Sequence, residues 1–386
     1  MNLAFCLYKY FPFGGLQRDF LRIATECQSR GHHVRVYTQS WDGDKPSGFE
    51  IIIVPVTSKT NHGRNAQYCD WVLAHLKQHP AERVIGFNKM PGLDIYYAAD
   101  VCYAQKVAEE KGFFYKLTPR YKHYAAFEKA VFAVGKPTQL LMLTPHQISH
   151  FKEHYGTEDV RFHMLPPGIA QDRKYDKQVA NAKKVYREKN QIPESAFLVL
   201  QVGSDFKRKG VDRTIKAIAA LPDDIKKNTL LMVVGQDKPV KYQQLAKTLG
   251  IGSQVSFFSG RNDIAELMAA ADILMHPAYQ EAAGIVLLEA ITAGLPIIVT
   301  EVCGYASFIS QAKCGIVVNE PFEQTVLNLA LKDSLKNPAQ LAQWASNARY
   351  FADTEDLYSL PEKAADIILG EANDWVKTPF QWIVEE

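Results

Sequence analysis

Two glutamates eight positions apart mark the part of this chain whose residue types and spacing best suit chemistry on a bound ligand. They lie in the run Gln280-Glu281-Ala282-Ala283-Gly284-Ile285-Val286-Leu287-Leu288-Glu289. Acids favour the N-terminal turns of helices, so the run predicts a helix that begins near Gly284, with Glu281 on its entry turn and Glu289 about two turns inside. A helix rises about 1.5 Å per residue, which would separate the two Cα atoms by roughly 12 Å. The two acids could then hold opposite ends of an extended nucleotide sugar, and the free N–H groups between them would face its phosphates.

The residues around this pair strengthen the interpretation. An isolated pair of acids at this spacing would more often be one capping and one solvated glutamate. Here His276-Pro277-Ala278-Tyr279 precedes the pair, and Gly294-Leu295-Pro296 and the strand-like Ile297–Thr300 follow it. That ensemble resembles the donor-site signature of retaining glycosyltransferases with the GT-B fold.

A cluster of cations forms a second candidate site in the run Gly203-Ser204-Asp205-Phe206-Lys207-Arg208-Lys209-Gly210. It follows a predicted strand and precedes a predicted helix over Val211–Leu221. Cations at a helix N-terminus oppose the helix dipole, so three together destabilise the helix unless an anion binds. A diphosphate meets that requirement, whereas the run lacks the Gly-Lys-Ser/Thr ending of an ATP-binding P-loop. The alternative is a solvated turn of lysines.

Two glycine-containing loops give weaker indications. Gly14-Gly15 lies between a predicted strand and helix, where backbone N–H groups can approach a ligand closely, and Asp19 stands one turn further on. Gly260-Arg261-Asn262 follows another predicted strand and could border a nucleotide base. An ordinary tight turn is the alternative for the first loop, and a plain strand-to-helix connection is the alternative for the second.

Three other patterns are interpreted as structural. Asp42-Gly43-Asp44 matches a metal-binding D-x-D motif but lies in a polar loop, so we predict a turn. His146, His150 and His154 share one face of a predicted helix without a further metal ligand nearby, and we expect solvated histidines. The chain contains no G-x-S-x-G elbow, which argues against an α/β-hydrolase.

The elements that must position these residues alternate between strand and helix. This order predicts an α/β fold with two Rossmann-like, doubly wound parallel sheets. The predicted strands in the first half are Leu3–Tyr8, His33–Thr38, Glu50–Val56, Arg83–Phe87 and Leu140–Leu143. Those in the second half are Phe197–Val202, Leu230–Val234, Gln254–Phe258, Ile273–His276, Ile297–Val299 and Ile316–Val318.

Length and composition fit two ordinary soluble domains. The 386 residues are 47% hydrophobic and 22% charged, with a net charge of only +2, so any basic surface must be local. We place an N-terminal domain at 1–167 and a second domain at 168–353, with a helix at about 354–386 returning to the first domain. The six cysteines form no C-x-x-C pair, as in a cytosolic protein, and no apolar run approaches transmembrane length.

The segment Tyr103–Phe132, called here the basic aromatic segment, differs in character from the rest. It holds six cations against three acids, and eight aromatic residues lie between them. Such a mixture suits an anionic bilayer surface or a nucleic acid, and ordinary helix packing with a solvated face is the alternative. The residues that we expect to contact a membrane are Lys111, Phe113, Phe114, Tyr115, Lys116, Arg120 and Lys122.

With these residues in view, the chain resembles the lipopolysaccharide core glucosyltransferases, which are family 4 retaining glycosyltransferases of the GT-B fold. The resemblance runs through Ala4–Phe20, Gly86–Asp94, the two donor motifs and Asp356–Ile367, and the tail after Gly370 departs from it. It implies two domains facing across a cleft. It also implies UDP-glucose as the donor, lipopolysaccharide inner-core heptose as the acceptor, no metal or other cofactor and no nucleic acid partner. The expected location is the cytoplasmic face of the inner membrane.

The resemblance also implies roles for individual residues. Glu289 would hold the ribose, and Glu281 with the backbone of Ala282, Ala283, Gly284 and Ile285 would hold the glucose. Arg208 and Lys209 would neutralise the diphosphate, helped by the Gly15 backbone and by Arg173. Asp19 and Asp100 would face the acceptor and the reacting carbon, and Arg261 and Asn262 would border uracil.

Retention without a clear protein nucleophile favours a front-face reaction, with Asp100 as nucleophile or base in the competing mechanism. Two other functions stay open from the sequence. One is a GT-B transferase with a different donor sugar. The other is a non-catalytic membrane- or RNA-binding module that keeps the GT-B shell.

Overall fold

The computed structural model describes residues 1–12, 14–169, 182–261 and 263–371. Contacts divide the chain into two compact units. The first comprises Met1–Gly168 and the chain from Ser359 onward, and the second comprises Ile169–Tyr358. Near the end of the second unit, Leu357 is buried and its carbonyl accepts a 2.8 Å hydrogen bond from the Ile169 amide at the start of that unit.

The first unit is built on a seven-stranded sheet whose strands are all parallel, in the order β5-β3-β1-β6-β7-β8-β9. Strands β2 and β4 form a separate short ribbon. The strands are β1 (Asn2–Cys6), β2 (Lys9–Tyr10), β3 (His33–Thr38), β4 (Ser40–Trp41), β5 (Phe49–Ile53), β6 (Arg83–Gly86), β7 (Ile95–Ala98), β8 (Gln139–Met142) and β9 (Phe162–Met164).

Helices connect these strands, as parallel pairing requires. They are α1 (Gly15–Ser29), α2 (Asn61–Gln78), α3 (Tyr103–Glu110), α4 (Pro119–Phe132) and α5 (Pro145–Tyr155). A 3₁₀ turn over Phe113–Leu117 joins α3 to α4. The Thr118 hydroxyl accepts a hydrogen bond from the Tyr121 amide and Pro119 occupies the first helical position, which together define the start of α4.

The second unit holds a six-stranded parallel sheet in the order β12-β11-β10-β13-β14-β15. Its strands are nearly continuous apolar runs, because helices cover both faces of the sheet. Every residue of Ile273–His276 and Ile297–Thr300 is buried. The strands are β10 (Phe197–Val202), β11 (Thr229–Val234), β12 (Val255–Phe258), β13 (Ile273–His276), β14 (Ile297–Thr300) and β15 (Gly315–Val318).

Nine helices belong to the described part of the second unit. They are α6 (Ala182–Lys189), α7 (Val211–Ala219), α8 (Asp223–Lys226), α9 (Val240–Thr248), α10 (Ile264–Ala270), α11 (Ile285–Thr292), α12 (Ala306–Ala312), α13 (Gln324–Leu335) and α14 (Pro338–Thr354). The apolar face of α7, with Val211, Ile215 and Ile218 fully buried, packs against Val199 and Leu231 in one core.

The final described helix, α15 (Leu360–Leu369), belongs to the first unit and packs on α1. Arg30, which directly follows α1, forms an ion pair with Asp366 of α15, with 2.7 Å between Nη1 and Oδ1. Within the described ranges, no helix is long and apolar enough to cross a membrane.

Every strand that we predicted exists, and most of the predicted bounds lie within one or two residues of the observed ones; β1 and β5 end two and three residues earlier. The α/β class with parallel sheets is therefore confirmed. Strands β7 and β9 of the main sheet were missed, as were the two-residue strands β2 and β4. The apolar run of β7 is only four residues long, and β9 has three half-buried residues at the sheet edge.

Candidate active site

The two principal motifs of the sequence lie on adjacent loops in the second unit. Strands β10 and β13 are neighbours in the sheet, but their chain-order neighbours β11 and β14 lie on opposite outer sides. This is the topological switch point, where loops leave the carboxyl ends of two strands in opposite directions and open a crevice for ligands. The loop after β10 carries Arg208 and Lys209, and the loop after β13 carries Glu281.

Close backbone packing joins these two loops. Gly210 adopts a φ of +70°, and a Cβ there would lie 1.9 Å from the Pro277 carbonyl oxygen, so only glycine fits. The Tyr279 amide also donates a 2.8 Å hydrogen bond to the Arg208 carbonyl. The acidic and basic motifs are thus held together by main chain as well as by side chains.

The side chains of the two loops form an ion cluster around one carboxylate oxygen. Glu281 Oε2 lies 3.0 Å from Arg208 Nη1 and also accepts from Lys209 Nζ. Lys209 and Glu281 are each only 11% exposed at the side chain, whereas Lys207 is exposed to solvent. Lys209 is therefore not part of a solvated lysine turn, and its anionic partner is Glu281.

Glu281 is held ionised by this environment. Burial alone would raise the pKa of its carboxyl, but nearby His276 and the charges of Lys209 and Arg208 outweigh burial and hold the pKa well below its usual range. A site with two cations and one ionised acid can exchange partners with an incoming anion. It can also offer an acceptor to ligand hydroxyl groups.

Further contacts hold the two loops in place. The Gln201 amide donates a 2.7 Å hydrogen bond to the Lys209 carbonyl from inside β10. The Arg213 guanidinium lies between the rings of Tyr279 and Phe322, 3.6 and 3.5 Å from their centroids, and donates to the Ala278 carbonyl. These contacts stabilise the backbone that leads into Glu281.

The structure corrects one part of the geometry predicted around Glu281. Helix α11 does begin beside Gly284, which precedes it in a left-handed conformation with a φ of +94°. Glu281 is not on the entry turn, because its backbone forms an isolated bridge with Cys303 instead. The predicted separation of roughly 12 Å between the Cα atoms of Glu281 and Glu289 assumed that both residues lie on one helix. That assumption was wrong. Glu289 lies in the second turn of α11 and is half-buried.

The predicted uracil-side residues are only partly described. Arg261 is engaged by Asp263, with 2.7 Å between Nε and Oδ1, and by the Tyr186 hydroxyl at 3.1 Å. Its guanidinium lies 5.1 Å from the centre of the Phe258 ring. Asn262 and Arg173 lie outside the described residues.

Three predicted site residues belong to the first unit. Gly15 is the first residue of α1, and Asp19 is buried on the same helix. The Tyr97 hydroxyl of β7 bonds to the Asp19 carboxyl. Asp100 follows β7 and is exposed.

The basic aromatic segment forms α3, the 3₁₀ turn and α4. At its tip Phe113 and Phe114 are 73% and 82% exposed, and Leu117 is 59% exposed. The cations among its predicted membrane contacts are all exposed: Lys111, Lys116, Arg120 and Lys122. Tyr115 is half-buried and lies 3.1 Å from Tyr103 between hydroxyl oxygens. Large apolar side chains are unfavourable in water, so their exposure beside these cations indicates an interaction surface.

One acid of this segment, Glu128, is not on the surface. It is fully buried, forms an ion pair with Lys89 and accepts from the amides of Tyr103 and Ala104 at 2.8 and 2.9 Å. It therefore caps α3, which has no cap of its own. The exposed charge of the segment is one unit more positive than the sequence count indicates.

The patterns interpreted as structural show no metal-ligand grouping. His150 and His154 are half-buried and His146 is exposed, and His154 lies 2.7 Å from the Gln105 side-chain oxygen. Gly43, between Asp42 and Asp44, has a φ of +94°, as in a turn. In the described part of the chain no three His, Cys, Asp or Glu residues are grouped closely enough to hold a metal ion.

Sequence reasoning missed several supporting residues. Tyr97, Arg213 and Glu128 act through partners that are distant along the chain, and Gln201 acts through the Lys209 carbonyl on the following loop, so no helical or strand periodicity reveals them. His276 was noted only as part of the run before Glu281. Its position as the last residue of a predicted strand, where ligands bind in parallel sheets, could have marked it as a site residue.

Comparison with known proteins identifies the family. The group 1 glycosyl transferases match residues 182–351, which include both loops of the ion cluster. Over 371 residues, the chain is 67% identical to the lipopolysaccharide glucosyltransferase WaaG of Escherichia coli K12, covering 96% of this chain and 99% of that protein. The chain belongs to the lipopolysaccharide glucosyltransferase family. As a member of that family it is a glycosyltransferase, so the predicted enzyme class is confirmed and a module without chemistry is disfavoured.

Solved structures agree with this assignment. A crystal structure of WaaG, a glycosyltransferase involved in lipopolysaccharide biosynthesis, matches with a TM-score of 0.92 at 66% identity, over 95% of this chain and 100% of that chain. Anabaena HepE in complex with UDP-glucose matches with a TM-score of 0.71 over 96% of this chain and 100% of that chain, but at 16% identity. The second likeness concerns the fold alone, and together they confirm the GT-B class for this member of the family.

Proposed function

We propose that this glycosyltransferase moves α-glucose from UDP-glucose to the inner-core heptose of lipopolysaccharide, with retention of the anomeric configuration. The observation that carries the proposal is the Arg208–Lys209–Glu281 cluster at the switch point of the second sheet. The choice of glucose and lipopolysaccharide rests on the 67% identical relative, which is a lipopolysaccharide glucosyltransferase.

The donor would use the two loops and α11. Arg208 and Lys209 both contact Glu281 Oε2, and together they can neutralise a diphosphate. Glu281 and the backbone from Ala282 to Ile285 would take the glucose hydroxyls, and Glu289 would take the ribose hydroxyls. An ionised carboxylate accepts hydrogen bonds from sugar hydroxyls, which suits the strongly lowered pKa of Glu281.

The departing UDP would be stabilised without a metal ion. Charge develops on the leaving phosphate oxygen as the glycosidic bond breaks, and fixed cations at that point lower the barrier more than they stabilise the ground state. Lys209 is well suited to this, because burial strengthens its electrostatic effect and Gln201 fixes its backbone.

The reaction would proceed on one face of the sugar. The bond from the glucose anomeric carbon to the phosphate oxygen breaks while the bond to the heptose oxygen forms on the same side. The heptose hydroxyl proton passes to the departing phosphate oxygen, so charge and atoms balance without a protein nucleophile. Asp19 and Asp100 are the candidate acceptor-side residues of the first unit, and Asp100 as nucleophile or base is the competing mechanism.

The acceptor is lipid-linked, so we further propose that the enzyme attaches peripherally to an anionic membrane through the basic aromatic segment. The exposed Phe113 and Phe114 side chains beside Lys111, Lys116 and Arg120 support this. The proposed location is the cytoplasmic face of the inner membrane.

The deciding experiment is a donor screen with purified protein and heptose-terminated lipopolysaccharide. UDP release and the anomeric configuration of the product are measured for UDP-glucose, UDP-galactose, UDP-N-acetylglucosamine and ADP-heptose. We expect turnover with UDP-glucose and an α-linked product. Faster transfer of another sugar would favour the alternative donor, and a β-linked product would exclude retention.

A further inference from the structure

His276 presents an unusual combination of burial and missing partners. It is the last residue of β13, and its side chain is fully buried. Neither ring nitrogen, Nδ1 or Nε2, has a partner within hydrogen-bond distance. An unpaired buried polar group destabilises a folded protein, because its lost hydration is not replaced. Nε2 lies 3.7 Å from Glu281 Oε2, just beyond hydrogen-bond distance.

The Glu281 carboxylate already has two cationic partners. The same Oε2 atom accepts from both Lys209 and Arg208. If a diphosphate binds those two cations, Glu281 loses both partners while it remains buried. A buried carboxylate without partners is strongly unfavourable, so another donor must replace them.

His276 is placed to supply that donor. A closer approach of less than about 1 Å would bring its ring nitrogen within the usual distance of a hydrogen bond to a carboxylate. Burial lowers the pKa of His276, and the charge of Lys209 lowers it further, so the ring is neutral and carries one N–H. The charge of Arg208 also lowers the pKa of the ring, and Glu281 raises it, without reversing the net direction.

We propose that His276 is a positioning residue that takes over the Glu281 carboxylate when the diphosphate of the donor engages Lys209 and Arg208. This inference rests on the proposed donor site. The imidazole then fixes one carboxylate oxygen and leaves the other directed at the sugar hydroxyls. The site thus holds a ring nitrogen 3.7 Å from Glu281 Oε2 that already helps to lower the pKa of the carboxyl and that completes a hydrogen bond to it when the nucleotide sugar binds.

Two substitutions of similar size test the inference. His276→Gln keeps a side-chain N–H at a similar reach, whereas His276→Met has a similar volume and no N–H. Both variants should bind UDP within about twofold of wild type, because the cations are untouched. The kcat with UDP-glucose should fall about tenfold or more in His276→Met, the effect of one lost hydrogen bond to a charged group, and His276→Gln should recover most of it.

Each outcome separates this inference from the proposed function. A wild-type enzyme that releases no UDP from UDP-glucose would overturn the donor assignment, and this inference with it. If the wild type is active and the two variants have equal kcat, the inference alone is overturned. Equal losses of UDP affinity in the two variants would overturn it as well. Either result would mean that His276 acts through its volume and not through its N–H group.

A second measurement observes His276 directly in the wild-type protein by NMR. Wild-type protein labelled with ¹⁵N-histidine is titrated with UDP, and the His276 signal is identified by its absence from the His276→Gln spectrum. We expect the ring N–H proton to move downfield on saturation, as for a new hydrogen bond to a carboxylate. An unchanged His276 signal on saturation with UDP overturns the exchange of partners.

Discussion

The Tyr97 hydroxyl donates a 2.7 Å hydrogen bond to Asp19 Oδ2 in the interior of the first unit. Burial raises the pKa of this carboxyl to about 6, although the Tyr97 hydrogen bond and the charges of Arg22 and Arg18 lower it. A folded pKa above the unfolded value of 3.8 means that the native state binds the proton more tightly. Ionised Asp19 therefore destabilises the fold fully above pH 6, and this penalty vanishes as the pH falls below about 4.

We expect Asp19→Asn to raise the free energy of unfolding at pH 7, by up to about 3 kcal/mol, since each pKa unit corresponds to about 1.4 kcal/mol. The amide oxygen can still accept from Tyr97. The gain should shrink as the pH is lowered from 6 to 4, where wild-type Asp19 is already protonated. Urea titrations across this range measure it, with exposed Asp100→Asn as the control that should change stability little. A parallel displacement of the whole pH curve would contradict the titration of Asp19.

Lys209→Ala should reduce kcat on the order of 100-fold, because a cation that stabilises the leaving group acts mainly in the transition state. Lys207→Ala is the matched control, since Lys207 is a lysine of the same loop with an exposed side chain. It should retain nearly wild-type kcat. Steady-state kinetics with UDP-glucose distinguish the two variants. An unchanged kcat with only a raised donor KM in Lys209→Ala would exclude the leaving-group role.

Glu289→Gln should weaken the binding of UDP itself, because Glu289 is proposed to hold the ribose. Glu281→Gln should bind UDP at least as well as wild type, since the carboxylate that occupies Arg208 and Lys209 is removed. It should nevertheless impair the use of UDP-glucose. Calorimetry with UDP and UDP-glucose tests both variants. An equal loss of UDP affinity in the two would refute the assignment of Glu289 to the ribose and Glu281 to the glucose of the donor.

Turnover should not require a divalent metal, because Arg208 and Lys209 are proposed to neutralise the diphosphate. We expect UDP release to continue at its original rate after extensive dialysis against EDTA. Addition of Mg²⁺ or Mn²⁺ should change the rate by less than about twofold. Activity that disappears in EDTA and returns with either ion would show that the two cations are insufficient.

Replacing Lys116, Arg120 and Lys122 with Glu should release the protein from anionic liposomes. Each cation contributes about 1 kcal/mol near such a surface, so the loss of three cations alone should weaken binding on the order of 100-fold at low salt, and the repulsion from the three new acids should weaken it further. UDP affinity should stay at the wild-type value. The control reverses three exposed lysines of the second unit, Lys227, Lys247 and Lys336, at the same change in net charge. Equal flotation of the two triple variants would mean that net charge alone, and not this segment, determines attachment.

The sheets were predictable because parallel strands covered on both faces are apolar at nearly every position. The run Ile297–Thr300 shows this, with all of its residues buried. The loops at the switch point were predictable as well, because a glycine-flanked cluster of cations and a pair of acids each follow such a strand. Short β7 and three-residue β9 lack that contrast with their surroundings, so their patterns are too weak to separate from loops.

The pairing inside the candidate site could not be predicted from local pattern. Lys209 and Glu281 stand 72 positions apart, and only the strand order brings their loops together. The left-handed conformation of Gly284 and the bridge between Glu281 and Cys303 likewise depend on tertiary contacts. A periodicity argument assumes a regular helix up to Glu281, and it fails where the chain leaves that geometry.

The burial of Glu128 bears on how the basic aromatic segment should be studied. A synthetic peptide covering Tyr103–Phe132 would lack Lys89, would expose the Glu128 charge and would lose the tertiary cap on α3. Such a fragment would carry one more exposed acid than the same residues in the intact enzyme, and its first helix would fray. Measurements on the excised segment would therefore underestimate the affinity of the enzyme for acidic lipids.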